Sequence, residues 1–143
     1  MTAAPVQPQL RRLDAGGTML RLRALQVMGH GSARVARATG TSERMIQRIV
    51  RGDAQTVSPA LREAVAAVYD RWWDKRAPER TAAERAAANA VRRRARCGDW
   101  CAGAALDDDQ LDVPGYQPSH GWLPACGTGM AGPPAPATRE RIA

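Results

Sequence analysis

With 143 residues, the chain is long enough for one small domain with tails and too short for a multi-domain enzyme. Its formal net charge of +7 comes almost entirely from arginine, since Lys75 is the only lysine, and such a chain attracts polyanions. No run approaches the eighteen or more apolar residues that a membrane span needs, and the first residues lack the apolar core of a signal peptide, so we expect a cytoplasmic protein without a membrane partner.

Residues 1–16 contain two prolines and lead into a glycine pair at positions 16 and 17, so we predict a flexible N-terminal arm there. Capping residues and glycines then divide the chain into three short predicted helices, over residues 19–28, 33–40 and 43–51. The predicted caps are Thr18, Ser32 and Ser42, and the predicted stops are Gly29, Gly40 and Gly52.

Two longer helices follow in the prediction. Ser58 caps a fourth helix that begins at Pro59. Thr81 and Glu84 form a capping box that opens a fifth, Ala- and Arg-rich helix to about Arg96. The apolar stripe of the fourth helix is the strongest in the chain and consists of Leu61, Val65, Val68 and Trp72. The alanine face of the fifth helix is expected to bury little.

No helical period continues beyond the fifth helix. We predict an irregular segment up to residue 125 and a disordered tail over residues 126–143, which are rich in proline and glycine. The irregular segment is expected to pack locally through Leu111, Tyr116, Trp122 and Leu123. Its carboxylates are expected to be solvated, to cap a turn, or to pair with the arginines of the fifth helix. These carboxylates are Asp107, Asp108, Asp109 and Asp112.

The second and third predicted helices have the features of a helix-turn-helix. Such a unit needs a small residue where its helices cross, a residue that tolerates an unusual backbone angle in the turn, and apolar anchors. Ala36 and Gly40 meet the first two needs, and Val35, Ile46 and Ile49 are the predicted anchors. The alternative is an ordinary basic helical hairpin with a solvated arginine face.

With these residues the chain resembles the helix-turn-helix regulators of phages and bacteria. More narrowly, residues 17–123, with "SARVARATGTSERMIQRI", "AVAAVYDRWWDK" and "TAAERAAANAVRRRARCGDW", look like the short regulators of actinobacteria and their phages. Thr39 and Thr41 depart from the pattern, because the family usually buries an aliphatic residue there. His30 departs too, since relatives often place an aromatic residue at that position.

The resemblance implies a recognition surface on the third helix, and the side-chain chemistry agrees with it. Arginine reads guanine, glutamine can read adenine and glutamate can accept from cytosine. The predicted base contacts are Glu43, Arg44, Gln47 and Arg48. The predicted contacts to the DNA backbone are Arg34, Ser42, Arg51, Arg92, Arg93, Arg94 and Arg96. The last four are also explained by the helix dipole, which favours cations at a helix C-terminus.

Tyr69 and Trp73 lie beside the apolar stripe of the fourth helix. They are expected to contact the fifth helix or to form a two-fold dimer interface. The sequence therefore leaves a homodimer open as a partner, beside double-stranded DNA.

No catalytic site or cofactor is expected. His30 and His120 are the only histidines, no triad can be assembled from them, and no phosphate-cradling glycine motif is present. Cys97, Cys101 and Cys126 are an odd number, so we expect reduced thiols. With His120 they could form a zinc site, but the spacing is unlike that of structural zinc knuckles.

These patterns predict an all-α fold: an arm over residues 1–16, a helix-turn-helix domain over 17–75, the Ala/Arg-rich helix with the irregular segment over 76–125, and the tail. The expected function is sequence-specific binding of double-stranded DNA by a phage or actinobacterial transcriptional regulator. One alternative is a DNA-packaging or architectural protein. Another is a protein-interaction module, such as an antitoxin or a polymerase-binding factor, with a host protein as partner.

Overall fold

The computed structural model describes residues 11–118, which are mainly helical with one pair of short strands and one 3₁₀ turn. The elements are β1 (Leu13–Asp14), α1 (Gly16–Val27), α2 (Ser32–Thr39), α3 (Glu43–Arg51), β2 (Thr56–Val57), α4 (Pro59–Trp72), α5 (Ala82–Cys97) and the 3₁₀ turn (Gly103–Ala105). The prediction of a predominantly helical chain is confirmed. None of the helices within this range is long and apolar enough to cross a membrane.

Side-chain caps and left-handed glycines set the helix ends. The hydroxyl oxygens of Ser42, Ser58 and Thr81 each accept a hydrogen bond from the backbone N–H three residues later, at 3.0–3.2 Å. Gly40 and Gly52 end α2 and α3 with φ of 75° and 88°, a backbone conformation in which a Cβ is strained. The predicted starts of α3, α4 and α5 and the predicted stops of α2 and α3 are therefore confirmed.

The beginning of the described chain differs from the prediction. Thr18 was predicted to cap α1, but the helix begins two residues earlier and Thr18 is buried inside it. Residues 11–16 do not form a free arm, because β1 pairs antiparallel with β2 and Arg12 donates to Thr56 at 2.9 Å. A two-residue strand is too short to show the alternation that identifies strands in a sequence. Residues 1–10 of the predicted arm lie outside the described residues.

Helix α1 lies at the centre of the fold, where it contacts α3, α4 and α5. Helix α2 packs against α3 and α4. The largest apolar side chains enclosed between these helices are Leu22, Leu25, Val35, Ile46, Ile49, Val65 and Val68. The face of α5 also buries more than expected, through Ala88, Val91 and Ala95, because small side chains let it approach α1 closely.

The segment after α5 folds back onto the helices. Leu106 and Leu111 join the core, and a Cβ built on Gly17 would lie 2.3 Å from the backbone oxygen of Leu111. Asp112 accepts two hydrogen bonds from Arg21, at 2.7 and 3.0 Å, and forms an ion pair with Arg62 at 3.2 Å. Residues 98–118 therefore belong to the same packed unit as the helices before them.

One expectation was that the acidic cluster pairs with the arginines of α5. The structure shows other partners within residues 11–118. Asp112 pairs with arginines of α1 and α4, while Asp107 accepts a hydrogen bond from the backbone of Asp109 and so caps a turn. Leu111 is buried and Tyr116 packs against the core, as predicted for the irregular segment. The other two predicted packing residues, Trp122 and Leu123, lie outside the described range.

Tyr69 and Trp73 lie against Gly103 in the 3₁₀ turn. Both side chains thus contact the segment that follows α5, a contact that was not among the expectations. Tyr69 is 2% exposed, so its ring offers no surface to a second copy. Burial raises the pKa of Tyr69 to about 12. Trp73 remains 39% exposed.

His30 is buried and takes the place of an aromatic residue. Its ring stacks on Trp72 with the centroids 4.8 Å apart. Its Nδ1 accepts a hydrogen bond from Arg34 Nε at 3.1 Å, so Nε2 carries the proton and donates to the Lys75 backbone oxygen at 2.8 Å. A second proton on Nδ1 would face the N–H of Arg34. Burial and, to a smaller extent, the Arg34 charge lower the pKa of His30.

Leu111→Ala should lower the free energy of unfolding by about 2–5 kcal/mol, because it removes a fully buried side chain and leaves a cavity. Val113→Ala, two residues away at a side chain that is 47% exposed, should change it by less than about 0.5 kcal/mol. Urea unfolding followed by tryptophan fluorescence measures both. Equal effects of the two variants would mean that residues 98–118 are not part of the cooperative unit.

The protein should lose stability as the pH falls below about 6.5, the ordinary pKa of histidine. Between this pH and the lowered pKa of His30 in the folded chain, His30 is protonated in the unfolded chain and neutral in the folded chain. The slope from this group is at most about 1.4 kcal/mol per pH unit. His30→Phe keeps a ring for the stack and removes the titration. Urea unfolding at pH values from 7 to 5 measures the free energy of unfolding of both proteins. The wild-type value should fall more steeply with decreasing pH than that of His30→Phe. Parallel curves of free energy against pH would contradict the assignment of this titration to His30.

Candidate nucleic-acid interface

Helices α2 and α3 form one unit around a tight turn at residues 40–42. Ala36 is 5% exposed, and its backbone oxygen accepts from the N–H groups of Gly40 and Thr41 at 2.9 and 3.1 Å. Ile46 and Ile49 are fully buried under α3, as Val35 is under α2. The three predicted anchors therefore all face the core, and the opposite face of α3 is turned outward.

Thr39 does not leave a buried polar group in this unit. Its hydroxyl donates to the Val35 backbone oxygen at 2.9 Å, one turn earlier in α2. A threonine at this half-buried position is thus satisfied within its own helix, so it replaces an aliphatic residue without an unpaired donor.

The outward face of α3 is polar and cationic. Its exposed side chains are Glu43, Arg44, Gln47, Arg48 and Arg51. Gln47 donates to Glu43 at 3.1 Å, and Arg51 forms an ion pair with Asp53 at 3.0 Å. The side chains of Arg44 and Arg48 make no hydrogen bond or ion pair within residues 11–118. Exposed contacts of this kind contribute little, so Glu43, Gln47 and Arg51 can exchange them for a ligand.

The predicted backbone contacts near α3 divide into two groups. Ser42 and Arg51 are exposed at the two ends of α3. Arg34 is held by its own chain, because it donates to His30 and its guanidinium lies 4.3 Å from the ring centroid of Trp72. Arg34 is therefore a packing residue of α2 in this structure.

The four arginines of α5 are also separated by the structure. Arg93, Arg94 and Arg96 are exposed. The side chain of Arg92 is only 12% exposed, lies 3.3 Å from a carboxylate oxygen of Glu79 and donates to Asn89 at 2.6 Å. The bond from Arg92 lowers the pKa of Glu79. Arg92 therefore joins α5 to the loop before it, and the other three arginines remain candidates for phosphate contact.

An open groove of about 480 Å³ separates α3 from the end of α5. Glu43, Gln47 and Arg51 line one wall, and Arg94 and Trp100 line the other. The sequence gives no sign of this arrangement, since the two walls are more than forty residues apart along the chain. It places one arginine of the α5 cluster beside the outward face of α3.

Arg23 contacts one residue on each side of the groove. Its Nε donates to the Val50 backbone oxygen in the last turn of α3 at 2.8 Å, and its guanidinium lies 5.1 Å from the ring centroid of Trp100. Gly98 is needed for this packing, because a Cβ there would lie 2.5 Å from the indole nitrogen of Trp100. Sequence reasoning did not single out Arg23, since a lone arginine on an apolar helix gives no indication of its partner.

The cysteines differ from the expectation. Cys97 is disulfide-bonded, so the expectation of reduced thiols is wrong for this residue. The odd cysteine count argued against a full disulfide framework, but it does not exclude a single bond. Within the described range no three His, Cys, Asp or Glu side chains are grouped to hold a metal ion. His120 and Cys126 of the considered zinc site lie outside that range.

Comparison of the chain with protein-family models, with curated proteins and with solved structures finds no match. The resemblance to short helix-turn-helix regulators therefore stays a prediction from the sequence. The functional proposal depends on the arrangement of α2, α3 and the end of α5.

Proposed function

We propose that the protein binds double-stranded DNA sequence-specifically, with α2 and α3 as a helix-turn-helix unit and α3 as the recognition helix. The observation that carries this proposal is the coincidence of two features in one short unit. The small Ala36, the left-handed Gly40 and the buried anchors fix α3 against the core. The same geometry leaves the polar face of α3 in solvent.

The side chains on α3 have the chemistry of major-groove readout. Arg44 and Arg48 lie one turn apart and can each donate two hydrogen bonds to the N7 and O6 of guanine. Gln47, beside them, can read adenine, and Glu43 can accept from the amino group of cytosine. Ser42 and Arg51, at the ends of the helix, suit phosphates, which fix register rather than sequence.

The charge of the chain supports the same proposal. A net charge of +7 draws a small protein to a polyanion, and the exposed arginines at the end of α5 add to the cations of α3. Phosphate contacts release counterions, so affinity should fall steeply with salt. In this proposal the protein is a transcriptional regulator of a phage or an actinobacterium, acting by steric control or by recruitment.

Trp73 supports a second kind of contact. It is exposed at the end of α4, and large aromatic side chains are enriched at the centre of protein interfaces. A second copy on this face would make a homodimer that sets the spacing of two DNA half-sites. A host protein on the same face would instead give the interaction-module function.

Selection of duplexes from a random pool by the full chain tests the proposal. The wild-type protein should enrich a single motif. Arg44→Ala and Gln47→Ala should each cost about 1–3 kcal/mol at that motif and relax the preference at one position, because each removes a base contact. Arg71→Ala, at an exposed arginine at the end of α4, removes the same charge as Arg44→Ala and should leave the motif unchanged.

Enrichment of no motif, with salt-sensitive binding that is the same for all variants, would overturn sequence-specific reading. That result would favour a packaging or architectural role. Absence of any DNA binding, with Trp73→Ala abolishing a protein contact, would favour the interaction module.

A further inference from the structure

The groove between α3 and the end of α5 has the charge distribution of an anion site. Arg51 and Arg94 line opposite walls, and Glu43 is the only carboxylate among the lining residues. The side chain of Arg94 makes no hydrogen bond or ion pair within the range 11–118. Gln26 and Ser32, joined by a 3.0 Å hydrogen bond, add polar lining from α1 and α2.

The dimensions of DNA determine which part of a duplex would enter this groove. The major groove of B-DNA is about 12 Å wide, and one α-helix with its side chains is about 10–12 Å across. If α3 occupies the major groove, no room remains there for the end of α5. The next part of the duplex beside α3 is the sugar-phosphate backbone that borders the major groove. A backbone strand is also the polyanionic part of the duplex, which matches the charge of Arg51 and Arg94.

We propose that this groove holds the sugar-phosphate backbone of one DNA strand, with Arg94 contacting a phosphate just outside the bases that α3 reads. The inference rests on the proposed DNA-binding function and goes beyond it, because it selects one arginine of the α5 cluster and one strand of the duplex. The backbone of this strand then lies between α3 and the end of α5. The phosphate contact of Arg94 in turn determines how α3 is oriented in the major groove.

Trp100 is a positioning residue in this arrangement. Its ring forms part of the same wall as Arg94 and lies against the guanidinium of Arg23. Arg23 in turn donates a hydrogen bond to the last turn of α3. Through these contacts Trp100 links the wall that carries Arg94 to α3. Loss of the ring should loosen the contact of Arg94 with its phosphate and leave base reading by α3 intact.

The test uses the full chain and duplexes that carry the selected motif, in which phosphates are replaced one at a time by neutral methylphosphonates. For the wild-type protein, replacement of one phosphate flanking the motif should weaken binding. Arg94→Ala should weaken binding to unmodified DNA, reduce the salt slope by about 1, and abolish the further loss at that one phosphate. Arg71→Ala should keep the full loss there. Trp100→Ala should reduce that loss, and Trp100→Phe should restore it.

Each outcome decides the inference. A motif that is enriched, with Arg94→Ala still losing affinity at every phosphate as the wild type does, would overturn the groove as a backbone site and leave the proposed function standing. A failure of the wild-type protein to enrich any motif would overturn both. A Trp100→Ala protein that loses base preference, but keeps the full loss of affinity when the flanking phosphate is neutralised, would overturn the positioning role.

Discussion

The enclosure of α1 is the constraint on which the rest of the structure depends. An isolated helix of 12 residues is marginal in water, and α1 is stabilised by packing on several sides. Leu22 and Leu25 supply the apolar contacts. Three polar side chains of the same helix each bond to a different part of the chain: Arg21 to the segment after α5, Arg23 to the last turn of α3, and Gln26 to the first residue of α2. One helix thus orients all the elements around the candidate interface.

This arrangement explains why the outward face of α3 and the end of α5 lie together. Neither helix needs a direct bond to the other, since both rest on α1 and Arg23 contacts the two walls. This half-buried cation is held by its Nε–H, which donates to the Val50 backbone oxygen, and by the Trp100 ring. Burial lowers the pKa of Arg23 but, for an arginine, leaves the charge in place. The spacing across the groove therefore depends on α1, Arg23 and Trp100, and not on the exposed arginines that line it.

The features that were predicted from the sequence are the local ones. Ser42 with its following turn, the glycine at position 40 and the 3.6-residue spacing of the anchors act within a few residues, where chemistry alone determines structure. The contacts that were missed are distant in sequence. Arg21 and Asp112 are 91 residues apart, and the strand residues around Leu13 pair with a second strand more than forty residues later. A pairing of this kind leaves no periodic signal, and a charged residue does not indicate which opposite charge it will meet. The groove was missed for the same reason.

The return of the C-terminal segment has a consequence for how the protein matures on the ribosome. Helices α1 to α4 emerge first, but the side of α1 that carries Gly17 and Arg21 stays uncovered until Leu111 and Asp112 have left the exit tunnel. During that interval an apolar surface and a cation without its carboxylate are exposed, which favours chaperone contact and aggregation over early function. A chain that ends after α5 would remain permanently in this half-covered state. The residues around Leu111 and Asp112 therefore have to be synthesised before the side of α1 that carries Gly17 and Arg21 is covered.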